Sequence, residues 1–348
     1  MNTKYFFYFS ILIFLSLTTL FSCSSENRFV LCKVSEYDCD YQHKVPGIIT
    51  VTKGSSRLHY VLTENGMKKA EIKEGEPVAY NPETETVAVK EVTDSSIDIF
   101  TVDIRSGREL SPAISLKPKM KGRDGRPVFA VPTLLGSCVL NDGSLILLVN
   151  YENPEFAGLD TGSESYDFLF VYEKGDPKKL KKYVFPYDEE SENETDETND
   201  EFFWDEPQNI LCSGKNIYLF SERHYRNNQI LSLLYNRYPN RILSRIDTDP
   251  QKEKAEITDL AIIAFDDVTF SYYSEKDNRI YTSVRTSGSD KAILRPIGLD
   301  EGYELPEPPV ERENGEFLFS ETPVGKPLIF FVKTRSHLEE QRIELLPF

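Results

Sequence analysis

Five cysteines and four histidines are the side chains best suited to nucleophilic, redox or metal chemistry in this 348-residue chain, and their spacing limits that chemistry. His43, His59, His224 and His337 lie far apart and make no His-x-x-x-His pair, and no Cys-x-x-Cys pattern accompanies them. Tetrahedral zinc sites of known spacing are therefore not encoded. No Gly-x-Ser-x-Gly elbow and no glycine-rich phosphate loop leading into a helix occurs. Carboxylates are abundant, so a glycosidase-type pair has many candidates and none that stands out. Arg223, His224, Asp266 and Asp267 receive no role on sequence grounds. No catalytic residue and no metal ligand is assigned.

The densest charge lies in an acidic insertion at 187–207, which carries Asp188, Glu189, Glu190, Glu192, Glu194, Asp196, Glu197, Asp200, Glu201, Asp205 and Glu206. Self-repulsion favours an extended, solvated connection. Calcium takes six to eight hard oxygen ligands, so the residue type suits it, but the Asp-x-Asp-x-Asp-Gly loop spacing is missing. No cofactor is expected, with calcium as the one ion the composition would suit. Phe202-Phe203-Trp204 then reads as the return of the chain to a core.

The fifth cysteine, Cys23, has a context of its own. Asn2 to Lys4 is short, polar and positive, and Tyr5 to Phe21 is an uncharged apolar run. This is the layout of an export signal. At 1.5 Å per residue, the run sits at the lower limit for crossing a bilayer core of ~30 Å. It ends in Leu20-Phe21-Ser22-Cys23, which resembles the lipobox of bacterial lipoproteins. Leu20, Ser22 and Cys23 match, whereas Phe21 is bulkier than usual, as in the looser lipoboxes of spirochaetes or Bacteroidetes. The resemblance implies a signal peptide over 1–22, diacylglycerol on Cys23 and a lipidated tether and N-terminal segment over 23–46. The alternatives are an uncleaved anchor and an ordinary signal peptide. Either lipid or an anchor would tie the same body to the same side of a membrane. Export permits disulfides, so Cys32 and Cys39, seven apart, form a candidate bridge. Cys138 and Cys212 sit in apolar runs and are expected as buried free thiols.

The elements that would position any site are strands. Leu145 to Val149, Asn216 to Phe220 and Arg279 to Arg285 are β-rich runs bounded by turn residues. Asn65-Gly66, Asp142-Gly143, Asn314-Gly315, Ser106-Gly107 and Ser213-Gly214 supply the positive φ that tight turns need. Only Gln251 to Ile263 and Ser336 to Leu346 approach a helical period. The hairpins recur. One unit runs through Val78–Tyr80, Thr86–Val92, Ile97–Ile104 and Arg108–Leu110. A second runs through Cys138–Leu140, Leu145–Asn150, Tyr166–Tyr172 and Lys179–Phe185. A third runs through Ile210–Cys212, Asn216–Glu222, Gln229–Tyr235 and Arg241–Ile246. A fourth begins at Phe270–Tyr273 and Arg279–Arg285. The last starts at Val310–Glu313, turns at Asn314-Gly315 and ends at Arg342–Leu346. Ile48–Thr52, Arg57–Leu62 and Lys69–Lys73 would be part of a first copy.

Such four-stranded units resemble the blades of a β-propeller. The resemblance implies an all-β domain over 47–348 with about six blades, or seven if N-terminal residues pair with the last strand to close the ring. A β-sandwich or a two-domain all-β body is the alternative. Charged residues on both strand faces argue against an outer-membrane barrel.

Composition narrows function. A formal net charge of −17 repels nucleic acid and anionic head groups, so nucleic acid is not an expected partner. The leading expectation is an exported lipoprotein of the cell envelope, lipid-anchored at the outer membrane or surface or facing the periplasm. It would serve as a platform for a protein or small ligand. A hydrolase or lyase with its site in a propeller channel, and an envelope assembly factor, are the alternatives; enzymatic activity is left open.

Overall fold

The computed structural model describes residues 28–33, 36, 38–118, 120–121, 127–128, 130–152, 165–184, 203–225, 240–248, 255–264, 268–285, 291–298, 309–333 and 340–347. Strand β1 (Arg28–Cys32) precedes the first complete blade, β2 (Cys39–Val45), β3 (Ile48–Lys53), β4 (Ser56–Thr63) and β5 (Gly66–Ala70). Blade 2 is β6 (Glu76–Asn81), β7 (Thr86–Val92), β8 (Ile97–Asp103) and β9 (Ile114–Leu116). A two-stranded hairpin, β10 (Met120–Lys121) and β11 (Pro127–Val128), leads to blade 3: β12 (Val131–Val139), β13 (Leu145–Glu152), β14 (Ser165–Tyr172) and β15 (Leu180–Val184). Blade 4 is β16 (Phe203–Ser213), β17 (Asn216–Tyr225), β18 (Asn240–Asp247) and β19 (Glu256–Ala264). Blade 5 is β20 (Val268–Ser274), β21 (Arg279–Arg285), β22 (Lys291–Gly298) and β23 (Val310–Glu313). Blade 6 takes β24 (Gly315–Glu321), β25 (Pro327–Lys333) and β26 (Gln341–Leu345) from the C-terminus and its fourth strand, β1, from the N-terminus.

The chain is thus a six-bladed β-propeller. The side-chain period of two explains why blades stack as they do. In β13, Leu145, Leu147 and Val149 face a cluster shared with blade 2, and Ile146 and Leu148 face one shared with blade 4. All five are fully buried, so an uninterrupted apolar run serves two seams at once. Among the described residues the buried apolar side chains sort into six clusters, one at each seam.

The first strands of blades 1 to 5 share a device. Each gains one residue relative to its neighbour: between Gln42 and Val45, Pro77 and Ala79, Leu134 and Gly136, Pro207 and Asn209, and Val268 and Phe270. A bulge bends the strand and frees backbone groups from the ladder. In blade 2 a freed group is used between blades. Ser137 Oγ donates to the carbonyl of Val78, the extra residue of blade 2, at 2.9 Å. Blade 6 has no bulge in β24, and its Phe319 carbonyl instead accepts from Gly47 N at 2.8 Å and from His43 Nε2 at 3.2 Å.

Several expectations change. The propeller begins at β1 rather than at residue 47, and N-terminal pairing completes the sixth blade instead of adding a seventh. Val310–Glu313 closes blade 5, so Asn314-Gly315 joins two blades and is not a hairpin within one. The near-helical stretch at 251–263 contains strand β19, because Ile257, Thr258, Ile262 and Ile263 are β-branched and β18 offers a ladder. The stretch at 336–346 likewise contains β26. The third unit's Gln229–Tyr235 lies outside the described residues, and β18 and β19 supply its last two strands. Residues 203–207 of the acidic insertion belong to β16; its remainder lies outside the described residues, as does Cys23.

Cys32 and Cys39 are joined by a disulfide that links β1 to β2. Cys138 and Cys212 are not free thiols: they form a second disulfide. They lie 74 residues apart in sequence, but the first strands of blades 3 and 4 run side by side and bring their Cα atoms to 5.7 Å. The chain-entropy relation assigns about 2 kcal/mol to the short loop and about 4 kcal/mol to the long one. Replacing Cys138 and Cys212 together with Ser should therefore lower the unfolding free energy in urea by more than the Cys32–Cys39 pair does.

His43 gives a second expected outcome. Burial holds its imidazole down at about 4, opposed by the hydrogen bond to Phe319. The unfolded chain binds the proton more readily, so stability falls as pH drops from 6.5 towards 4, by up to about 3 kcal/mol. His43→Gln should flatten that part of the pH profile in urea melts; an unchanged slope would assign it to other groups.

Candidate functional site

The first and second strands of each blade meet in turns at one end of the ring. Those turns surround a cavity of about 720 Å³ at the mouth of the central channel. Every blade contributes: Val45, Asn81, Ser137, Asn209, Tyr272 and Glu321 come from blades 1 to 6 in order. A second recess of about 410 Å³, over the seam between blades 6 and 1, shares Tyr80, Pro82 and Glu321 with it.

The lining is polar and largely self-satisfied. Asn81 accepts from the backbone N–H groups of Glu83 and Thr84 through its Oδ1, fixing its own turn. Its Nδ2 donates to Val139 O at 2.9 Å and to Asn141 Oδ1 at 2.8 Å, which ties blade 2 to blade 3. Asn141 in turn donates to Glu83. One seam further round, Gly136 permits close approach: a Cβ there would stand 2.4 Å from Asn209 Oδ1. The Cys138–Cys212 disulfide occupies the same seam. Asn216 Nδ2 donates to Glu275 Oε1 at 2.6 Å between blades 4 and 5.

The cations at the rim also have partners. Lys44 Nζ meets Glu76 Oε1 at 2.7 Å, and Lys276 Nζ donates to Val324 O at 3.3 Å. Among the lining carboxyls, Glu321 departs from ordinary behaviour. Tyr272 Oη donates to its Oε2 at 3.0 Å from a fully buried position, stacked on Phe319 with ring centroids 5.9 Å apart. Burial pushes the Glu321 carboxyl up, against the pull of the Tyr272 hydrogen bond, and pushes the Tyr272 phenol well up. Such a carboxyl can hold or hand over a proton nearer neutrality than a solvated one.

Sequence reasoning assigned none of these groups. Glu321, Tyr272 and Asn81 sit in different blades, and only ring closure makes them neighbours. The connection from Val78–Tyr80 to Thr86–Val92 was legible as a break between strands, but the reach of the Asn81 amide into blade 3 was not. Among the described residues no group of three or more His, Cys, Asp or Glu side chains could hold a metal ion. The side chains of Arg223, His224, Asp266 and Asp267 lie outside the described set.

No family model and no curated protein matches the chain. Solved structures do. The β-propeller domain of the Trilobed protease from Pyrococcus furiosus is 9% identical, covering 89% of this chain and 94% of that one at a TM-score of 0.44. TolB from Acinetobacter baumannii is 12% identical over 92% of this chain and 63% of its own, at 0.37. An ulvan lyase is 9% identical over 88% and 77%, at 0.41. At these identities the likeness extends to the fold alone.

The raised Glu321 carboxyl has a stability consequence. A carboxyl whose folded pKa lies above its unfolded one destabilises the fold as pH rises through that interval. Glu321→Gln should therefore raise the melting temperature at pH 7 to 8 and leave it unchanged near pH 4. A lower melting temperature at pH 7 would mean that the ionised carboxylate is needed there.

Proposed function

We propose that this protein is an exported lipoprotein, held to a membrane by lipid on Cys23, whose propeller binds a partner or small ligand in the channel-mouth cavity. The observation that carries the reading is the convergence of all six blades on one cavity of about 720 Å³. This volume falls in the range of small-molecule sites. Because the lining charges are already partnered, a neutral polar ligand would displace the fewest existing bonds. The two disulfides support an oxidising compartment, in keeping with export. No helix among the described residues is long and apolar enough to cross a membrane, and the leader lies outside them.

The Tyr272–Glu321 pair favours a second reading, a hydrolase or lyase of the envelope, because a proton-sharing pair lines the cavity. The two readings separate by experiment. In the binding reading, a thermal-shift panel of envelope saccharides and peptides gives a hit that Lys276→Trp, which narrows the cavity mouth, removes. Tyr272→Phe should weaken that hit only modestly. Turnover of the same compound by wild type, lost in Tyr272→Phe, would favour the enzyme instead.

The anchor has its own check. Cys23→Ala should abolish labelling by a fatty-acid analogue and move the protein out of the membrane fraction. Retention in that fraction would refute the lipid anchor.

A further inference from the structure

We propose that the seam between blades 1 and 2 holds a second binding site, separate from the channel-mouth cavity, which takes a small oxyanion such as phosphate or sulfate on His59, Arg57 and Gln42. The inference depends neither on the lipid anchor nor on what the cavity binds.

Strand register builds the site. Thr50 of β3 pairs with Gln42 of β2 and with His59 of β4, so the three side chains lie in a row on one face of blade 1. Arg57 precedes His59 by two residues on β4 and shares that face. Ile48 and Val61, next along it, pack with Val87 and Val89 of blade 2, which makes this the face turned towards blade 2. Beside that apolar packing a recess of about 160 Å³ opens between the two blades. Gln42, Thr50, Arg57 and His59 line it from blade 1, and Glu76 and Pro77 from blade 2. Lys44 and Val45 line both the recess and the cavity, and so stand between them. The recess has room for an ion and not for a drug-sized ligand, whose sites begin near ~300 Å³.

The central group is His59, an imidazole only 5% exposed. Its Nδ1 lies 3.0 Å from Thr50 Oγ1. Its Nε2 has no hydrogen-bond partner among the described residues, although the ring lines the recess. A buried polar atom without a partner is costly, and a ligand in the recess would supply one. Burial and the neighbouring Arg57 hold the ring below its usual value, against the pull of Glu76, so it is neutral at pH 7. With the Thr50 hydroxyl donating to Nδ1, the neutral ring carries its proton on Nε2 and offers it to the recess.

Charge decides what accepts that proton. Arg57 has no ion pair or hydrogen bond among the described residues, and neither does the Gln42 amide. Glu76, the one carboxylate that lines the recess, is already engaged by Lys44 at 2.7 Å and by Lys90 at 3.1 Å. Asp40 and Glu91 belong to strands of the same seam but do not line the recess. The lining is therefore net positive, in a chain whose formal charge is −17. A free guanidinium excludes a metal cation and suits an oxyanion, which Arg binds through charge-assisted hydrogen bonds. Guanidinium, imidazole and amide donors on one sheet face then surround a volume that such an ion fills.

The test titrates purified full-length protein with sodium phosphate and with sodium sulfate by calorimetry at fixed ionic strength. One saturable site is expected. Arg57 and Gln42 are exposed at the rim, so Arg57→Gln and Gln42→Leu should keep the melting temperature of the anion-free protein. Arg57→Gln should weaken binding by about tenfold or more, and Gln42→Leu by less. Arg245→Gln, which removes an exposed arginine of blade 4, should bind as wild type does. Nitrogen-15 NMR of the imidazoles supplies the location. The signal missing from His59→Gln should report a proton on Nε2 and should move as phosphate is added. No saturation by either anion, equal binding in Arg57→Gln, or a His59 signal that ignores phosphate would overturn the site. Glycerol 1-phosphate separates the sources of the anion. Competition with phosphate marks a phosphorylated group on a larger molecule, and failure to compete marks the free ion; each upholds the oxyanion site.

Discussion

Closure of the ring is the constraint on which the rest depends. A blade buries both faces only if it has a neighbour on each side, so a stack of six is stable only when the last meets the first. In this chain the meeting is made by β1, which gives blade 6 its fourth strand. Leu31, Cys32, Ile49, Leu62, Leu318 and Phe330 form a buried cluster across that seam. Ser320 Oγ donates to Leu62 O at 2.8 Å, and Phe319 O receives Gly47 N. Strand pairing, apolar burial and hydrogen bonds from side chain and backbone thus converge where chain ends must find one another. The Cys32–Cys39 disulfide then ties the closing strand to the first strand of blade 1.

The cavity is a by-product of how the seams are made. First strands crowd around the axis, and a regular ladder would leave their inner backbone groups committed within each blade. One extra residue in the first strands of blades 1 to 5 interrupts that ladder, and in blade 2 the neighbouring blade takes up the released group, Ser137 donating to the Val78 carbonyl. Polar side chains are therefore needed near the axis for stability alone, and Asn81 serves both its own turn and the next blade. This separates Glu321 from the other lining groups. Its partner Tyr272 is a buried ring whose hydroxyl would need an acceptor in any case, yet the acceptor supplied is an ionisable one. A Gln or a backbone carbonyl would satisfy the phenol without the desolvation of a carboxyl. The choice of Glu is the feature at this site that packing does not require.

The fold was largely legible because its signals are local. Runs such as Leu145–Val149 alternate between two buried faces, and Asn65-Gly66 or Asp142-Gly143 mark turns irrespective of what lies around them. Boundaries failed where tertiary pairing decides. Val310–Glu313 reads equally well as the start of one hairpin or the end of a blade, and only its ladder with β22 fixes it. Ile257–Ile263 carries a weak helical period that the edge of blade 4 overrides. The site was illegible for a different reason. Its residues are spaced by tens of positions, one or two per blade, and no short motif records that a ring brings them together. Cys138 and Cys212 show the same blindness: both were recognised as buried, but adjacency across a seam leaves no trace in either local sequence.

That second disulfide bears on how the cavity keeps its shape. A ring can breathe by opening any seam, and the cheapest to open would be one with few buried contacts. The seam between blades 3 and 4 is not poor in them, since Ile146, Leu148, Leu169, Ile217 and Leu219 all pack there. A covalent link at an already well-packed seam adds little local order to the native state; its entropic effect falls chiefly on the unfolded chain. Where it does act natively is at the channel mouth, since Cys138 and Cys212 line the cavity beside Asn209. Fixing two adjacent first strands there holds that side of the cavity, two seams round from the Tyr272–Glu321 pair, at a set width. A site walled by six independent blades needs such a reference more than one built on a single sheet. Each seam can shift slightly, and the shifts of six would otherwise accumulate at the mouth.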